Sequence, residues 1–427
     1  MLVCVATLCA QRARRVRRVQ PQQPPATTAT PVPTPVRIVR AADFPGRDVG
    51  ARINAADRAL GAMAGEIVVT GGGAITVPVI VSEGHTVRLG AGLYQPVTAE
   101  VPFMLKAGAS LIGAGWDQTI ITESTAPGQF TVLSGYGNAQ RNGDPDNDVT
   151  IRDVQIRGAN SGFNSTPQAI SLGNCTNCVV ERVWINGTRS IGVQLGASPR
   201  YGKWAENSRV TDCLFTHVAS QNLAVVNGRN ILLARNKFLQ PGQPGGPGST
   251  NIDLEPNEAS DVLENITIRD NLIDARGADV PTSGNGIVVQ SPPDTSRVGG
   301  IVVENNTIIG GSNQGVITNI ISNGIYVFGA QMRAVIVRNN IITRTGQAGL
   351  NLQGRNLTVV NNKLTDVGGG GTAGFIVHGA SDSTITGNTF TYTGAGPSDG
   401  RLLLMQPLIR TELRNNQGFT VTRQTGN

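Results

Sequence analysis

The chain repeats the phrase ITIRDNLI (266–273) as IVVENNTI (301–308) and VIVRNNII (335–342). Further copies are ILLARNKF (231–238), LTVVNNKL (357–364) and the weaker STITGNTF (383–390), all of the form apolar-x-apolar-x-x-Asn-x-apolar. Successive Asn residues are 35, 35, 34, 22 and 26 positions apart, so loop length varies while the phrase is kept. Self-similarity at such a period is the signature of a solenoid, in which each repeat stacks on the next.

The alternation within the phrase predicts a strand with its apolar side chains turned into a core. The Asn at the bend can bond its amide to the same Asn in the coils on either side, which satisfies buried polar groups. We therefore predict a structural ladder, and place Val154, Val183 and Cys213 in the same slot of earlier coils. Its members are Asn236, Asn271, Asn306, Asn340, Asn362 and Asn388.

A second strand precedes the phrase in each coil, as in NIDLE (251–255), GIVVQ (286–290) and GIYVF (324–328). Its second and fourth residues are apolar and its third and fifth are predicted to face outward. The third positions form what we call the Asp253 column: Ser171, Gln194, Ala224, Asp253, Val288, Tyr326, Asn351 and Ile376. The fifth positions form the Glu255 column: Gly173, Gly196, Val226, Glu255, Gln290, Phe328, Gln353 and His378.

These patterns predict an all-β fold, a single-stranded right-handed parallel β-helix (a solenoid) with an N-terminal capping helix. The cap is expected at about 48–65, where Ile53, Ala56, Leu60 and Met63 recur at helical spacing. The repeats are expected over about 66–415, and the domain over 41–427. Residues 1–40 are predicted to be a signal-like segment and a disordered linker rich in Arg, Pro and Thr.

The charge of the chain is concentrated at its start. Of 35 basic residues, seven are Arg within 1–40, and the remainder of the chain carries 28 basic and 29 acidic residues. A neutral body argues against nucleic acid as a partner, and no apolar run is long enough to predict a membrane span. A secreted, cell-surface or periplasmic location of bacterial type is expected. The oligomeric state is not predicted.

The cysteines give no sign of a metal site. Cys175 and Cys178 form one CxxC motif without a second motif or a nearby His, which argues against zinc. We expect these two residues and Cys213 to be small buried apolar side chains.

The stretches ADFPGRDVGARINAADRAL (42–60), SLIGAGWDQTII (110–121) and NIDLEPN (251–257) resemble the pectate-lyase-like superfamily of β-helix proteins. The resemblance covers about residues 42–415 and implies the fold. That superfamily contains lyases, hydrolases, epimerases and phage tailspikes. The sharper motifs of its better-known branches are missing, and WING (184–187) stands where pectate lyases have Trp-Ile-Asp-His. The resemblance therefore leaves the activity open.

Asp253 and Glu255 are the most unusual outward pair, because two carboxylates on one strand repel each other and add nothing to packing. Their α-carbons are expected roughly 6.6–7 Å apart. Paired carboxylates can act as acid and base on a glycosidic bond, where separations of roughly 6.5–9.5 Å suit inversion and about 5–5.5 Å suit retention. The same oxygens could hold Ca²⁺ for a β-elimination, so Ca²⁺ is a possible cofactor, although none is required. The remaining alternative is that Asp253 and Glu255 are solvated surface charges without a function.

Other side chains are predicted to line the same face. His217 lies one coil before Asp253 and is a candidate acid or base, although a lone His in a turn is often structural. Long loops at 197–208 and 239–250 interrupt the tight turns, and binding residues gather on such loops. The predicted sugar-binding residues are Gln194, Lys203, Trp204, Gln221, Asn222, Gln290, Tyr326 and Phe328.

The sequence thus predicts a polysaccharide-degrading enzyme, a glycoside hydrolase with Asp253 and Glu255 as catalytic residues. Two alternatives stay open. One is a polysaccharide lyase acting by β-elimination, and the other is a non-catalytic surface protein that binds glycans through the same face.

Overall fold

The computed structural model describes most of the chain from residue 36 onward. The described ranges are 36–97, 101–123, 130–134, 147–160, 162, 164, 168–196, 204–243, 250–278, 284–291, 297–311, 321–329, 332–394 and 396–424. All paired strands in these ranges run parallel, each joined to the equivalent strand of the next coil, as the repeat predicts.

The strands form three rows along the stack. Row 1 consists of Val79–Val81, Phe103–Leu105, Phe130–Ser134, Gln168–Leu172, Val193–Leu195, Leu223–Val225, Ile252–Leu254, Ile287–Gln290, Ile325–Phe328, Leu350–Arg355, Phe375–Ser381, Arg401–Leu404 and Thr420–Arg423. Row 2 consists of Arg37–Arg40, Gly65–Val69, His85–Leu89, Ser110–Ile112, Thr150–Arg152, Val179–Glu181, Ala205–Glu206, Arg209–Thr211, Gly228–Ala234, Leu263–Arg269, Val298–Glu304, Arg333–Arg338, Thr358–Val360, Thr384–Thr386 and Glu412–Arg414. Row 3 consists of Gly73–Ile75, Gly92–Pro96, Thr119–Thr122, Gln155–Arg157, Trp184–Asn186, Leu214–Thr216, Lys237–Leu239, Leu272–Asp274, Thr307–Ile309, Ile341–Thr343, Lys363–Thr365 and Thr389–Thr391.

The predicted asparagine ladder is present at the bend between rows 2 and 3. The side chain of Asn306 donates to Asn340 Oδ1 at 3.0 Å and to the carbonyl of Ile268 at 3.0 Å, while its Oδ1 accepts from Asn271 at 2.9 Å. The same pattern runs from Asn236 to Asn388 and ends on Asn416. Because every member is buried and bonded on both sides, the ladder fixes the register of the stack.

The cap is an α-helix, Val49–Leu60, preceded by a 3₁₀ turn, Ala41–Asp43. Asp48 caps the helix by accepting a hydrogen bond from the amide of Ala51 at 2.9 Å. Ile53, Ala56 and Leu60 are buried, but Met63 lies beyond the end of the helix and is 59% exposed, so its predicted place in the cap is wrong. Among the described residues, no helix is long and apolar enough to cross a membrane.

The β-helix extends further at both ends than the sequence predicted. Arg37–Arg40, expected in the linker, forms a strand that pairs with Gly65–Val69. Thr420–Arg423, beyond the expected end at 415, pairs with Arg401–Leu404. Both strands were missed because they lack the repeated Asn phrase, although backbone pairing needs no particular side chain.

Cys175 and Cys178 are joined by a disulfide, which corrects the expectation of two separate apolar side chains. Both are buried at a turn before row 2. Cys213 is free and buried, and burial raises the pKa of its thiol to about 12. It therefore packs as the small apolar residue that the repeat predicts.

Candidate functional site

The Asp253 column is in register along row 1. Gln194 lies opposite Ser171, Asp253 lies opposite both Ala224 and Val288, and the pairing continues through Tyr326 to Asn351. Adjacent strands are about 4.8 Å apart, so these side chains form a single line parallel to the axis of the stack.

The column is less accessible than the sequence predicted. Its members from Ser171 to Val288 are buried, although those that are apolar lie outside the main hydrophobic cluster of the stack. Asp253 itself is only 4% exposed. The half-buried part of the column begins at Tyr326. Strand alternation sets the direction in which a side chain points but not what covers it, so the prediction of an open face was wrong for these coils.

Asp253 and Glu255 form an unusual acidic pair. The pKa of Asp253 is raised to about 7, first by burial and then by the negative charge of Glu255. The two carboxyl groups also hydrogen-bond to each other, which favours the protonated form of Asp253, while hydrogen bonds from Gln290 and Gln221 oppose the rise. Near neutral pH Asp253 therefore keeps its proton in a large fraction of molecules, whereas an isolated aspartate would be ionised.

Gln221 and Gln290 hold the acidic pair from two sides. Gln221 Nε2 donates to Glu255 Oε2 at 3.3 Å, and Gln290 Nε2 lies 3.5 Å from Asp253 Oδ1. The hydroxyl of Ser220 donates to Gln221 Oε1 at 2.6 Å and so directs the amide nitrogen toward Glu255. Sequence reasoning missed Ser220, whose only signal is its position directly before Gln221.

Asn222 and Gln194 have partners within the protein. Asn222 is buried and donates to Asn251 Oδ1 at 3.1 Å, in a second amide ladder that runs on through Asn285 and Asn323. Gln194 is buried and donates to the carbonyl of Gly196 at 3.2 Å. Both positions fit structural roles better than the direct sugar contacts expected from the sequence.

His217 lies in the left-handed region with φ 52°, in the turn after Leu214–Thr216. Its carbonyl accepts a hydrogen bond from Gln243, which also bonds to the carbonyl of Thr188. No contact among the described residues joins its ring to Asp253 or Glu255. A catalytic role for His217 therefore stays a prediction from the sequence alone.

The aromatic residues divide into two groups. Tyr326 and Phe328 project from one strand with ring centroids 5.5 Å apart, and Phe328 is 44% exposed. The ring of Trp204 is instead covered by the guanidinium of Arg229 at 4.0 Å, a cation–π contact. Lys203 lies outside the described residues, as does most of the loop predicted at 197–208.

Within the described parts of the chain, no group of three or more His, Cys, Asp and Glu side chains is arranged to hold a metal. Asp253 and Glu255 would supply two of the oxygens that Ca²⁺ needs, and the others would come from water, carbonyls or substrate. The predicted Ca²⁺ site remains a hypothesis.

The fold and site define a right-handed parallel β-helix with a close pair of carboxyl groups, Asp253 in a row 1 strand and Glu255 directly after it. The sequence model of the family described as "Right handed beta helix region" matches residues 142–319 and 316–400, and the chain belongs to this family. A search of curated protein sequences gives no match.

Solved structures resemble this chain in fold at low sequence identity. The Azotobacter vinelandii mannuronan C-5 epimerase AlgE6 A-module has a TM-score of 0.60 and 14% identity, covering 91% of this chain and 100% of that chain. The AlgE4 A-module from the same organism has a TM-score of 0.55 and 15% identity, with 91% and 97% covered. The tailspike protein of E. coli bacteriophage HK620, solved in complex with a pentasaccharide, has a TM-score of 0.55 and 14% identity, with 88% and 66% covered.

Proposed function

We propose that this protein is a secreted, polysaccharide-degrading enzyme, a glycoside hydrolase in which Asp253 is the general acid. The observation that carries the proposal is the pKa of Asp253, raised to about 7 by burial and by Glu255. An acid that keeps its proton near neutral pH can deliver it to the oxygen of a leaving group. Few structural roles require a buried carboxyl pair that repels itself when ionised.

Glu255 is proposed to be the partner that activates water or attacks the sugar. Carboxyl groups in hydrogen-bond contact are closer than the roughly 5–5.5 Å of retaining enzymes or 6.5–9.5 Å of inverting ones. The pair must therefore separate when a sugar enters. Glu255 follows the end of Ile252–Leu254 and is half-buried, so we expect its side chain to move while Asp253 stays in place.

The fold comparisons support this proposal in one respect. The named relatives in fold include an epimerase of a polysaccharide and a protein solved with a pentasaccharide, so the same fold serves carbohydrate ligands elsewhere. At 14–15% identity they offer no residue to transfer.

The test is a panel of acidic and neutral polysaccharides incubated with the full chain, with and without EDTA. We expect new reducing ends without the ultraviolet absorbance of a double bond. Asp253→Asn should lower the turnover by about a hundredfold or more, because general acids contribute about 10²–10⁴. Asp212→Asn is the matched control, since Asp212 is half-buried in the turn after the row 2 strand Arg209–Thr211 and bonded to Arg235.

Two kinds of outcome would contradict the assignment as a glycoside hydrolase. An ultraviolet absorbance from a new double bond would show that the protein is a lyase. Loss of that absorbance in EDTA would support the Ca²⁺ hypothesis. Full activity in Asp253→Asn, or no products from any polymer, would contradict the hydrolase.

A second candidate, a non-catalytic glycan-binding surface protein, is favoured by a different observation. Phe328 is 44% exposed whereas Asp253 is 4% exposed, so the accessible part of the face is aromatic and amide-bearing. Binding of a polymer without any product, lost in Phe328→Ala but retained in Asp253→Asn, would establish this reading.

A further inference from the structure

Two arginines lie side by side where row 1 meets row 2. Arg333 begins the strand Arg333–Arg338, Arg355 ends the strand Leu350–Arg355, and the two are register partners. Adjacent strands are about 4.8 Å apart, and like charges placed opposite each other destabilise a sheet. This arrangement therefore carries a cost that packing does not explain.

Neighbouring charges do not neutralise the two arginines. In row 2, Arg333 is stacked on Gly299, and Gly299 is stacked on Glu264 of the coil before. Glu264 pairs with Arg229 at 3.3 Å, and Gly299 lies between it and Arg333. The charge of Arg355 acts on Asp382, but Asp382 is already held by two hydrogen bonds from Arg410. Within the described residues, the guanidinium of neither Arg333 nor Arg355 forms an ion pair or a hydrogen bond.

A cleft adjoins Arg355. It is lined by Gln353, Gly354, Arg355, Gly379, Ser381 and Gln406, so amides and a hydroxyl surround the guanidinium. Gly379 adds room to the cleft, because a Cβ there would lie 2.8 Å from Oε1 of Gln406 and the Gln406 side chain would have to shift. Ala380, Pro407 and Ile409 complete the lining, so the cleft combines polar groups and one guanidinium with an apolar side on which a sugar ring could pack.

A β-bulge shapes the cleft. The register between Leu350–Arg355 and Phe375–Ser381 shifts after Leu352, so that Gln353 lies opposite Gly379. This corrects the sequence prediction that His378 follows Gln353 in the Glu255 column. Bulges turn side chains in new directions and are frequent beside binding sites. Here the bulge replaces a bulky outward residue with glycine next to Arg355.

We propose that this cleft binds a carboxylate-bearing sugar unit, with Arg355, which lines it, and the adjacent Arg333 as the anion-binding residues. Guanidinium groups bind carboxylates through paired, charge-assisted hydrogen bonds, and the surrounding amides suit sugar hydroxyls. Gln353 follows Phe328 in the Glu255 column, so the cleft continues the accessible part of the row 1 face. The inference rests on the proposed action on a polysaccharide and narrows the substrate to an acidic one.

The experiment measures binding of oligogalacturonate and oligomannuronate by calorimetry, each compared with the same oligomer after its carboxylates are reduced to hydroxymethyl groups. The Asp253→Asn protein is used so that cleavage cannot interfere. We expect at least one acidic oligomer to bind more tightly than its reduced form. Adding Arg333→Gln and Arg355→Gln should weaken that binding by about tenfold or more and reduce its salt dependence.

Arg338→Gln is the control for each arginine substitution made singly, because it also removes one positive charge, at the other end of the row 2 strand, where Arg338 pairs with Glu304. Equal binding of acidic and reduced oligomers, no binding of either acidic oligomer, or unchanged affinity in the double arginine variant would overturn the inference. If a neutral polymer is cleaved, the inference fails and the hydrolase stands. If acidic oligomers bind through the arginines but no polymer is cleaved, the hydrolase fails and the inference stands.

Discussion

At the scale of single residues, the protonation of Asp253 links the candidate chemistry to the stability of the fold. Its pKa is raised to about 7 in the folded protein, against an ordinary value of 3.8. Between these values the unfolded chain has lost the proton that the folded chain still holds. The free energy of unfolding therefore falls as the pH rises through this window.

Asp253→Asn should accordingly stabilise the protein more at pH 8 than at pH 5. The difference is expected on the order of 2 kcal/mol, because one pKa unit corresponds to about 1.4 kcal/mol. Urea unfolding of wild type and variant at both pH values measures it. Asp212→Asn is the control: hydrogen bonds from Arg235 lower the pKa of Asp212, so its effect should not vary between these pH values. An equal effect of Asp253→Asn at both pH values would contradict the raised pKa.

At the scale of strands and turns, the asparagine ladder is the feature that joins each coil to both of its neighbours. Asn306 satisfies four groups in the coils above and below it: the carbonyl of Ile268, the side-chain oxygen of Asn340, and the main-chain and side-chain nitrogens of Asn271. All lie in the buried interior, where an unsatisfied polar group costs about 1–3 kcal/mol. One side chain thus holds three coils in register.

Asn306→Ala should lower the free energy of unfolding by about 3 kcal/mol or more, since several buried groups lose their partners together. Asn305→Gly is the matched control, because Asn305 is exposed at φ 56°, where glycine fits without strain. The urea concentrations at the unfolding midpoints of the two variants are compared with that of the wild type. Similar midpoints would mean that water replaces the amide, and that the ladder contributes little.

How far sequence predicts this molecule depends on whether a feature is local. Two of the three rows and the ladder follow from alternation and from a repeated Asn, and these are confirmed, whereas row 3 was not predicted as a separate row. The burial of Asp253 and the hydrogen bond from Gln221 to Glu255 depend on neighbouring coils, so neither could be predicted from the sequence pattern of a single coil. The pairing of Arg333 with Arg355 could have been predicted from the sequence. The two are separated by 22 residues, as are Asn340 and Asn362 of the same coils, so they occupy equivalent positions in adjacent coils.

At the scale of the whole molecule, one apolar core runs through the stack from Ala41 to Leu404, and the helix Val49–Leu60 covers its N-terminal end. The helix is held by a buried polar cluster. Asp57 Oδ1 accepts from the amide of Ser82 at 3.0 Å and contacts His85 Nδ1 at 2.6 Å, and its other oxygen accepts from the Ser82 hydroxyl. His85 Nε2 completes the cluster by donating to the carbonyl of Met63 at 3.1 Å.

Asp57→Ala should release the cap without unfolding the stack. Each coil of a solenoid contacts only its neighbours, so damage at one end stays there. At that end, the loss of Asp57 takes a partner from the buried His85 and the half-buried Ser82. Hydrogen exchange should become about tenfold or more faster in Gly65–Val69 and His85–Leu89, while Leu350–Arg355 keeps its protection. Arg58→Ala is the control, because Arg58 is on the exposed side of the same helix. Faster exchange throughout the stack would instead mean that cap and coils unfold as one cooperative unit, and unchanged exchange would mean that the packing of Ile53 and Leu60 alone holds the cap.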